Sequence, residues 1–380
     1  MRIGVVGGGP SGLYFAYLMK RLDPDAAITV VEQNPKSATY GFGVVFSDKA
    51  LTYLEAGDPR SFEIVSGAME TWPDLTIVQK DERVPIDGNG FSAIARLKLL
   101  NLLQGLCEEV GVRIEYESPL ASLDRFQGFD LIVGADGANS LVRQFYADAF
   151  RPEISCLTNK FVWYGTAQVF DTLTLTFREH DGGAYVAHHY RYSPTMSTFI
   201  VECDAATWDR AGFAHMSDEE SRTYCERIFA PDLGGHHLVS NKSIWRNFPV
   251  VTNRHWRRGN VVLIGDALRT VHFSIGSGTR LALEDAIVLR DAFAASGPDV
   301  PAALEQFEAT RRPTVEKLLG AAANSFLWYE SFAAKIHLDA PALAYDYMTR
   351  SGRVDDMRLR AIAPRFMTVY DRWRSQGGRT

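Results

Sequence analysis

The sequence predicts an α/β protein in which a parallel sheet is interrupted by an antiparallel β-sheet and followed by helices. Three stretches predict it. Residues 1–34 read as strand, glycine-rich turn, helix, second strand and acid. Residues 160–202 alternate apolar and polar side chains in four runs divided by turns, and after Pro301 the apolar spacing is helical.

Arg2-Ile3-Gly4-Val5-Val6 is a short apolar, β-branched run. Gly7-Gly8-Gly9-Pro10-Ser11-Gly12 follows directly, so Gly7, Gly9 and Gly12 fill Gly-x-Gly-x-x-Gly. Leu13 to Arg21 continues as a helix that is apolar all round, as suits a crossover helix buried on a sheet, and Ile28 to Val31 reads as the next strand. The glycines differ in purpose. Gly7 makes the tight turn, Gly9 lets backbone approach a pyrophosphate, and Gly12 lets helix pack on strand, while the helix N-terminus offers free N–H groups to phosphate. Pro10 and Ser11 stand within this turn. Glu32, twenty residues past Gly12, is placed to accept hydrogen bonds from a ribose 2′-hydroxyl, and Gln33 follows it. The unit predicts a dinucleotide with an unphosphorylated adenosine ribose, FAD or NAD, and spacing alone does not separate the two.

At 380 residues the chain has material for two domains with large cores. Hydrophobic residues at 46%, charged residues at 23% and a net charge of −6 describe an ordinary globular enzyme and give no reason to expect nucleic acid or an anionic membrane. Cys107, Cys156, Cys203 and Cys225 show neither zinc spacing nor a disulfide framework, so no metal is expected. No apolar run approaches the ~18 residues of a membrane span, and glycines interrupt the N-terminus where a signal sequence needs an apolar core; a soluble cytoplasmic protein is expected.

Along the chain, Tyr40 to Ser47 reads as an apolar loop in which Gly41 and Gly43 beside Phe42 and Val44 allow close approach to a flat ligand, with a short helix from Asp48 to Ala56 after it. Phe91 to Val110 reads as a helix with Ile94, Leu97, Leu100, Leu103 and Leu106 on one side. Arg96 sits near its beginning, where a cation is disfavoured unless it meets an anion such as a cofactor phosphate. Val112 to Tyr116 and Phe129 to Gly134 are further strands, the second running into Asp136-Gly137. The β-rich runs are Phe161 to Ala167, Thr172 to Arg178, Gly183 to Tyr190 and Thr198 to Glu202; in such a sheet His188-His189-Tyr190-Arg191-Tyr192 puts titratable and aromatic groups on alternate faces. Ser217 and Glu220 form a capping box opening a helix to Phe229. Gly259 to Ile264 is another buried strand, ending in Gly265-Asp266. The loop His272 to Thr279, with Ile275, Gly276, Gly278 and Thr279, is suited to lie against a planar ring at a helix start. Phe326, Trp328, Tyr329 and Phe332 in the helical end read as packing, and the tail Ser375 to Thr380 as frayed.

Gly7-x-Gly9-x-x-Gly12 with Glu32, then Asp136-Gly137, then Gly265-Asp266 before a glycine loop, resemble in order and spacing the three fingerprints of the single-component FAD-dependent aromatic hydroxylases. The resemblance covers residues 1 to about 320. It implies a glutathione-reductase-like FAD domain, residues 1–158 plus 245–320, with an inserted β-sheet substrate domain at 159–244 that a short segment near 70–90 joins, and a helical region at 321–380. By the same resemblance Glu32 binds the adenosine ribose, Arg96 the phosphate or ribose region, Asp266 the ribityl or pyrophosphate region, and Gly276 and Gly278 the flavin edge, while Asp136-Gly137 serves FAD and transient NAD(P)H. The family's Gly-Asp-Ala-Ala-His is here Gly265-Asp266-Ala267-Leu268-Arg269, and its proline-rich flavin loop is His272-Phe273-Ser274-Ile275.

Those departures, with Gly41-Phe42-Gly43-Val44-Val45-Phe46-Ser47-Asp48 and Gly90-Phe91-Ser92-Ala93-Ile94, resemble the branch that hydroxylates aryl-CoA thioesters such as salicylyl-CoA and anthraniloyl-CoA. Trp163-Tyr164-Gly165-Thr166 and Ser197 to Cys203 are similar to the tryptophan-derivative hydroxylase of violacein biosynthesis. The resemblance implies a monomeric or homodimeric monooxygenase that uses FAD, NADH or NADPH as transient co-substrate, and O2 to hydroxylate an aromatic ring through a flavin C4a-hydroperoxide. Its expected substrate is an aryl-CoA thioester; an indole hydroxylase, or an FAD reductase without oxygen insertion, is the alternative. His188, His272 and Tyr164 are the expected partners of the ring hydroxyl. Arg191, Arg246, Arg254, Arg257 and Arg258 are the cations from which a CoA site would be drawn.

Overall fold

The structure is a computed structural model that describes residues 1–38 and 41–378, without the side chains of 49 and 50. Tyr40 and the last two residues of the tail, to which the loop and fraying readings extend, lie outside it.

Among the described residues the strands form three sheets. The first is the nucleotide-type sheet, in the order Arg257–Arg258, Val261–Leu263, Leu131–Gly134, Arg2–Val6, Ala27–Val31 and Arg113–Glu115. Its pairs are parallel except the edge pair Arg257–Arg258 with Val261–Leu263. The central strands are apolar on both faces: the helix Pro10–Leu22, itself packed against Gly278–Ser296, covers one face, and Phe126 packs over Gly4 on the other. Nine successive residues of the first helix, Ser11 to Met19, are buried. That is why the helix is apolar all round. Gly12 can only be glycine here, since a Cβ would run into the carbonyl oxygen of Gly7.

The second sheet has eight strands. Its path is Leu238–Val239, Pro152–Thr166, Met196–Cys203, Gly183–Ser193, Leu173–His180, Leu75–Gln79 and Glu82–Ile86, with Arg246–Asn253 also paired to Pro152–Thr166. Leu75–Gln79 pairs parallel to Leu173–His180, so residues 75–86 extend this sheet. One face carries Val162, Tyr164, Tyr185, Ala187, Phe199 and Val201 into a core closed by Tyr224, Ile228 and Phe229 of the segment after it. The opposite face carries Leu175, Phe177 and Val186 against Trp328, Tyr329, Phe332, Tyr347 and Phe366 of the C-terminal helices.

Two readings change. Phe91–Ala95 is a strand, paired with Gly43–Ser47, and the helix begins at Arg96 and ends at Glu109. Phe91, Ser92, Ala93 and Ile94 alternate faces, a period-two pattern that merged with the leucine spacing after it. The segment read as a loop at 43–47 is the partner strand. Gly43 also lies against the strand Gly183–Ser193 of the second sheet, where a Cβ would press on the Tyr192 side chain at 2.5 Å. The boundary expected at 320/321 also falls inside one continuous helix, Val300–Glu330.

Candidate active site

A cavity of about 1520 Å³ runs between the two large sheets, beyond the ~300–1,000 Å³ usual for one small ligand. One end is built by the sequence's glycine motifs. Gly7, Gly9, Pro10, Ser11, Glu32, Gln33, Arg96, Asp136, Gly137, Asp266, Ile275, Gly276, Gly278 and Thr279 all line it, as does Val44. Gly12, Gly265 and Phe42 are expected contacts that do not. Gly12 lies beneath the turn. Gly265, at φ +62°, abuts the Ser11 hydroxyl, and the Phe42 ring covers Gly165.

The geometry suits a dinucleotide. Around the position a Gly9 Cβ would take, no described atom beyond its chain neighbours lies within 4 Å, so the cradle at the N-terminus of Pro10–Leu22 is open where a pyrophosphate approaches. Glu32 is held ready: Oε2 accepts from the Gly8 N–H at 2.7 Å, and Oε1 from the Asn34 backbone and side-chain N–H at 2.8 and 2.7 Å. Asp266 faces the cavity. Loss of bulk solvent raises its pKa, against which the guanidinium groups of Arg269 and Arg96 pull. Burial likewise lowers the pKa of Arg96, opposed by the charge of Asp266.

Asp136 is turned inward. Its carboxylate accepts from the Ser140 hydroxyl at 2.5 Å and from the N–H groups of Leu141 and Val142 at 2.6 and 3.2 Å, at the start of the short helix Leu141–Phe145. Its place in the cavity is therefore to hold the Gly137 turn. Arg269, where the related pattern has histidine, makes a bidentate pair with Asp285 at 2.7 and 2.9 Å and also donates to the Gly265 carbonyl. Asp285 in turn accepts from the Gly265 N–H and from Arg311. This network clamps the Gly265-Asp266 turn from behind and does not enter the cavity.

The other end is an aromatic wall of the eight-stranded sheet. Phe161, Trp163, His188, Tyr190 and Ile200 face it, joined by Phe248 and Phe273. His188 Nε2 lies 3.2 Å from Glu202 Oε2, and Glu202 Oε1 accepts from the Asn159 side chain at 2.9 Å. His188 stacks on the Tyr329 ring at 5.0 Å with Phe273 edge-on at 5.2 Å. Burial raises the Glu202 pKa, but the hydrogen bond from His188 and the neighbouring His272 outweigh it, and the carboxyl ends below its ordinary value. Trp163 adds an indole N–H without a hydrogen-bond partner among the described residues.

Strand alternation sorts the three expected ring-hydroxyl partners. His188 faces the cavity. Tyr164 points to the other side of the sheet, where its hydroxyl meets that of Ser221 at 3.3 Å, so it cannot reach a ligand. His272 is packed behind Phe273, against Phe248 at 4.8 Å; its Nδ1 accepts from the Ser274 N–H and burial lowers its pKa to about 4. It is a neutral support of the loop. Glu202 and Asn159 were not singled out in the sequence. The available signal was a carboxylate inside the apolar run Phe199 to Cys203, which must be paired if buried. Of the five arginines proposed for CoA, Arg246 alone lines the cavity; Arg191 is paired with Glu70 and Arg257 with Glu308.

Residues 129–322 match the family described as FAD binding domain. The chain is 40% identical to a salicyloyl-CoA 5-hydroxylase from a Streptomyces species, over 92% of this chain and 70% of that protein. It is 36% identical to the protodeoxyviolaceinate monooxygenase of Chromobacterium violaceum, over 92% and 94%. It is also 36% identical to a 3-hydroxy-4-methyl-anthranilyl-[aryl-carrier protein] 5-monooxygenase of Streptosporangium sibiricum, over 93% and 95%. The fold is that of 2-methyl-3-hydroxypyridine-5-carboxylic acid oxygenase, at a TM-score of 0.72 and 18% identity over 94% and 97% of the chains. A dinucleotide cradle that opens onto an aromatic wall, in a chain with these relatives, places the protein in the FAD-binding-domain family as an FAD-dependent aromatic monooxygenase.

Proposed function

We propose that the protein hydroxylates an aromatic ring presented as an aryl thioester, salicylyl-CoA first, with NADH or NADPH as the electron donor. The observation that carries this reading is the continuity of one cavity from the Gly9 cradle to His188, which lets a flavin and an aromatic ring meet at the Gly276–Gly278 loop. Two relatives at 36–40% identity are named for aryl groups on a CoA or carrier-protein thioester.

FAD, when bound, would supply the electrons that activate O2, from which the transferred oxygen atom comes. The rest is the work of the chain. Phe161, Trp163, Phe248 and Phe273 hold the substrate ring and keep water from the reacting face. His188 gives its Nε2–H to Glu202, so Nδ1 is the ring nitrogen left to hydrogen-bond or deprotonate the ring hydroxyl ortho to the thioester, raising electron density at the position para to that hydroxyl. Glu202 fixes the imidazole and balances the charge it gains.

The test is NADH and NADPH consumption by the FAD-loaded protein with salicylyl-CoA, anthraniloyl-CoA, free salicylate and an indole substrate, with products weighed by mass spectrometry. One added oxygen on a thioester, with stimulated NAD(P)H consumption, is the expected result. The relative from Chromobacterium violaceum favours a second reading, an indole substrate. Oxygenation of the indole alone would move the protein there, and reduction without any oxygenated product would remove both.

A further inference from the structure

The cavity is lined by three cations that have no ion-pair partner among the described residues. Lys317, Arg353 and Arg358 line the cavity and are exposed, so they stand where it opens to solvent. None of the three forms an ion pair among the described residues; Arg358 Nη1 donates only to the Arg353 carbonyl, at 3.1 Å. The acids beside them are already engaged: Glu316 with Arg312, Asp356 with Arg360, and Asp355 as the cap that accepts the Arg358 N–H at 2.8 Å. The surplus is therefore local, in a chain whose net charge is −6.

The rim is also held in place. Arg350 crosses from the C-terminal helices to the loop before Gly276, donating to the Ser274 carbonyl at 2.9 Å and the Ser325 hydroxyl at 3.0 Å, with its guanidinium 3.6 Å over the Tyr347 ring. Ser351, Arg353 and Val354 follow immediately. Thr314, Leu318 and Ala321, on the same helix as Lys317, also line the cavity, as do Ile275 and Phe273, small and apolar groups that suit an uncharged arm.

We infer that Lys317, Arg353 and Arg358 form a phosphate-binding subsite at the mouth, which takes the 3′-phosphoadenosine diphosphate of a CoA thioester while the acyl ring reaches the His188 wall. The inference rests on the thioester reading above and replaces the arginines that sequence alone suggested. Three cations without carboxylate partners match the phosphate groups of CoA, and a rim position leaves their charge hydrated until phosphate arrives. NADPH and a carrier protein's phosphopantetheine arm also bring phosphate, so the measurement must separate them.

The test is direct binding to the FAD-loaded full chain by calorimetry, comparing CoA, pantetheine, NADH, NADPH and an aryl-carrier protein on the parent and on the Lys317→Glu/Arg353→Glu/Arg358→Glu variant. The side chains are exposed, so the variant should fold and keep its flavin spectrum. CoA affinity is expected to fall about tenfold or more in the variant and to weaken with salt in the parent, with pantetheine and NADH unaffected. Equal CoA affinity in both proteins, or no CoA binding to the parent, overturns the subsite. A loss confined to NADPH overturns it in favour of a donor site, and a loss confined to an aryl-carrier protein in favour of a protein interface. Because unacylated CoA is the probe, the subsite stands or falls even if no thioester is hydroxylated; conversely, thioester turnover with an unchanged KM in the variant preserves the reaction and removes the subsite.

Discussion

Replacing Gly9 by alanine should leave the fold intact and empty the cofactor site, because its backbone sits at φ −77°, ψ 177° and open space surrounds the added methyl. Replacing Gly12 should do the reverse damage: its methyl meets the Gly7 carbonyl, and a cost of about 1–3 kcal/mol in urea unfolding is expected. Equal urea midpoints for the two variants would defeat this account of the turn. His272 gives a pH signature. Its pKa is about 4 when folded and ~6.5 when unfolded, so between these values the unfolded chain binds the extra proton and stability falls as pH falls. The loss from pH 7 to pH 5 is about 2 kcal/mol for this group, and His272→Asn should flatten that part of the profile. At the wall, His188→Gln should lower the hydroxylation kcat about 100-fold with FAD retained and NAD(P)H oxidation uncoupled from product. Glu202→Gln should lower it less; a full return to parental coupling in Glu202→Gln would show that the carboxylate charge is idle. Much of this was legible. The glycines and Glu32 carry their geometry in their spacing, whereas Trp163 and Tyr164 are adjacent, and which one meets ligand depends on which face of the sheet the C-terminal helices and FAD unit cover.

Among elements, the helix Gly278–Ser296 serves two ends at once. Its N-terminus lines the cavity with Gly278 and Thr279, and two turns on it presents Asp285 to Arg269 and Arg311 in a cluster that is almost wholly buried. Asp285→Ala would leave two buried guanidiniums without their shared partner, and a loss of about 3–5 kcal/mol is expected from denaturant titration. A change under about 1 kcal/mol would mean that water or rearrangement replaces the carboxylate. The strands and helices of the first sheet were legible because both-face burial writes continuous apolar runs. The strand Phe91–Ala95 was not: it is too short to outweigh the leucine spacing of the helix it joins, and its partner Gly43–Ser47 is distant in sequence. The same holds for Leu75–Gln79, whose parallel place in the second sheet is a tertiary fact.

For the whole molecule, the cavity separates the two large sheets, and a ligand that bridges them should stabilise the fold by linkage. With FAD at about a thousand times its Kd the gain is about 4 kcal/mol, read as a rise in Tm over the stripped protein. An unchanged Tm at saturating FAD would contradict the assignment of the cradle. No helix among the described residues is long and apolar enough to cross a membrane.

The order of the strands in the first sheet has a consequence for how the protein is made. Leu131–Gly134 lies between Arg2–Val6 and Val261–Leu263, and most of the antiparallel sheet is synthesised between Leu131–Gly134 and Val261–Leu263. The Gly9 turn leaves the ribosome early, but Asp266 and the Gly276–Gly278 loop that complete the cradle come more than two-thirds of the way along the chain. A nascent chain must therefore carry a sheet with one open edge while the second sheet folds, and it can grip flavin only after that edge closes. Cofactor capture becomes a late checkpoint of assembly, and added flavin during synthesis should raise the yield of active protein.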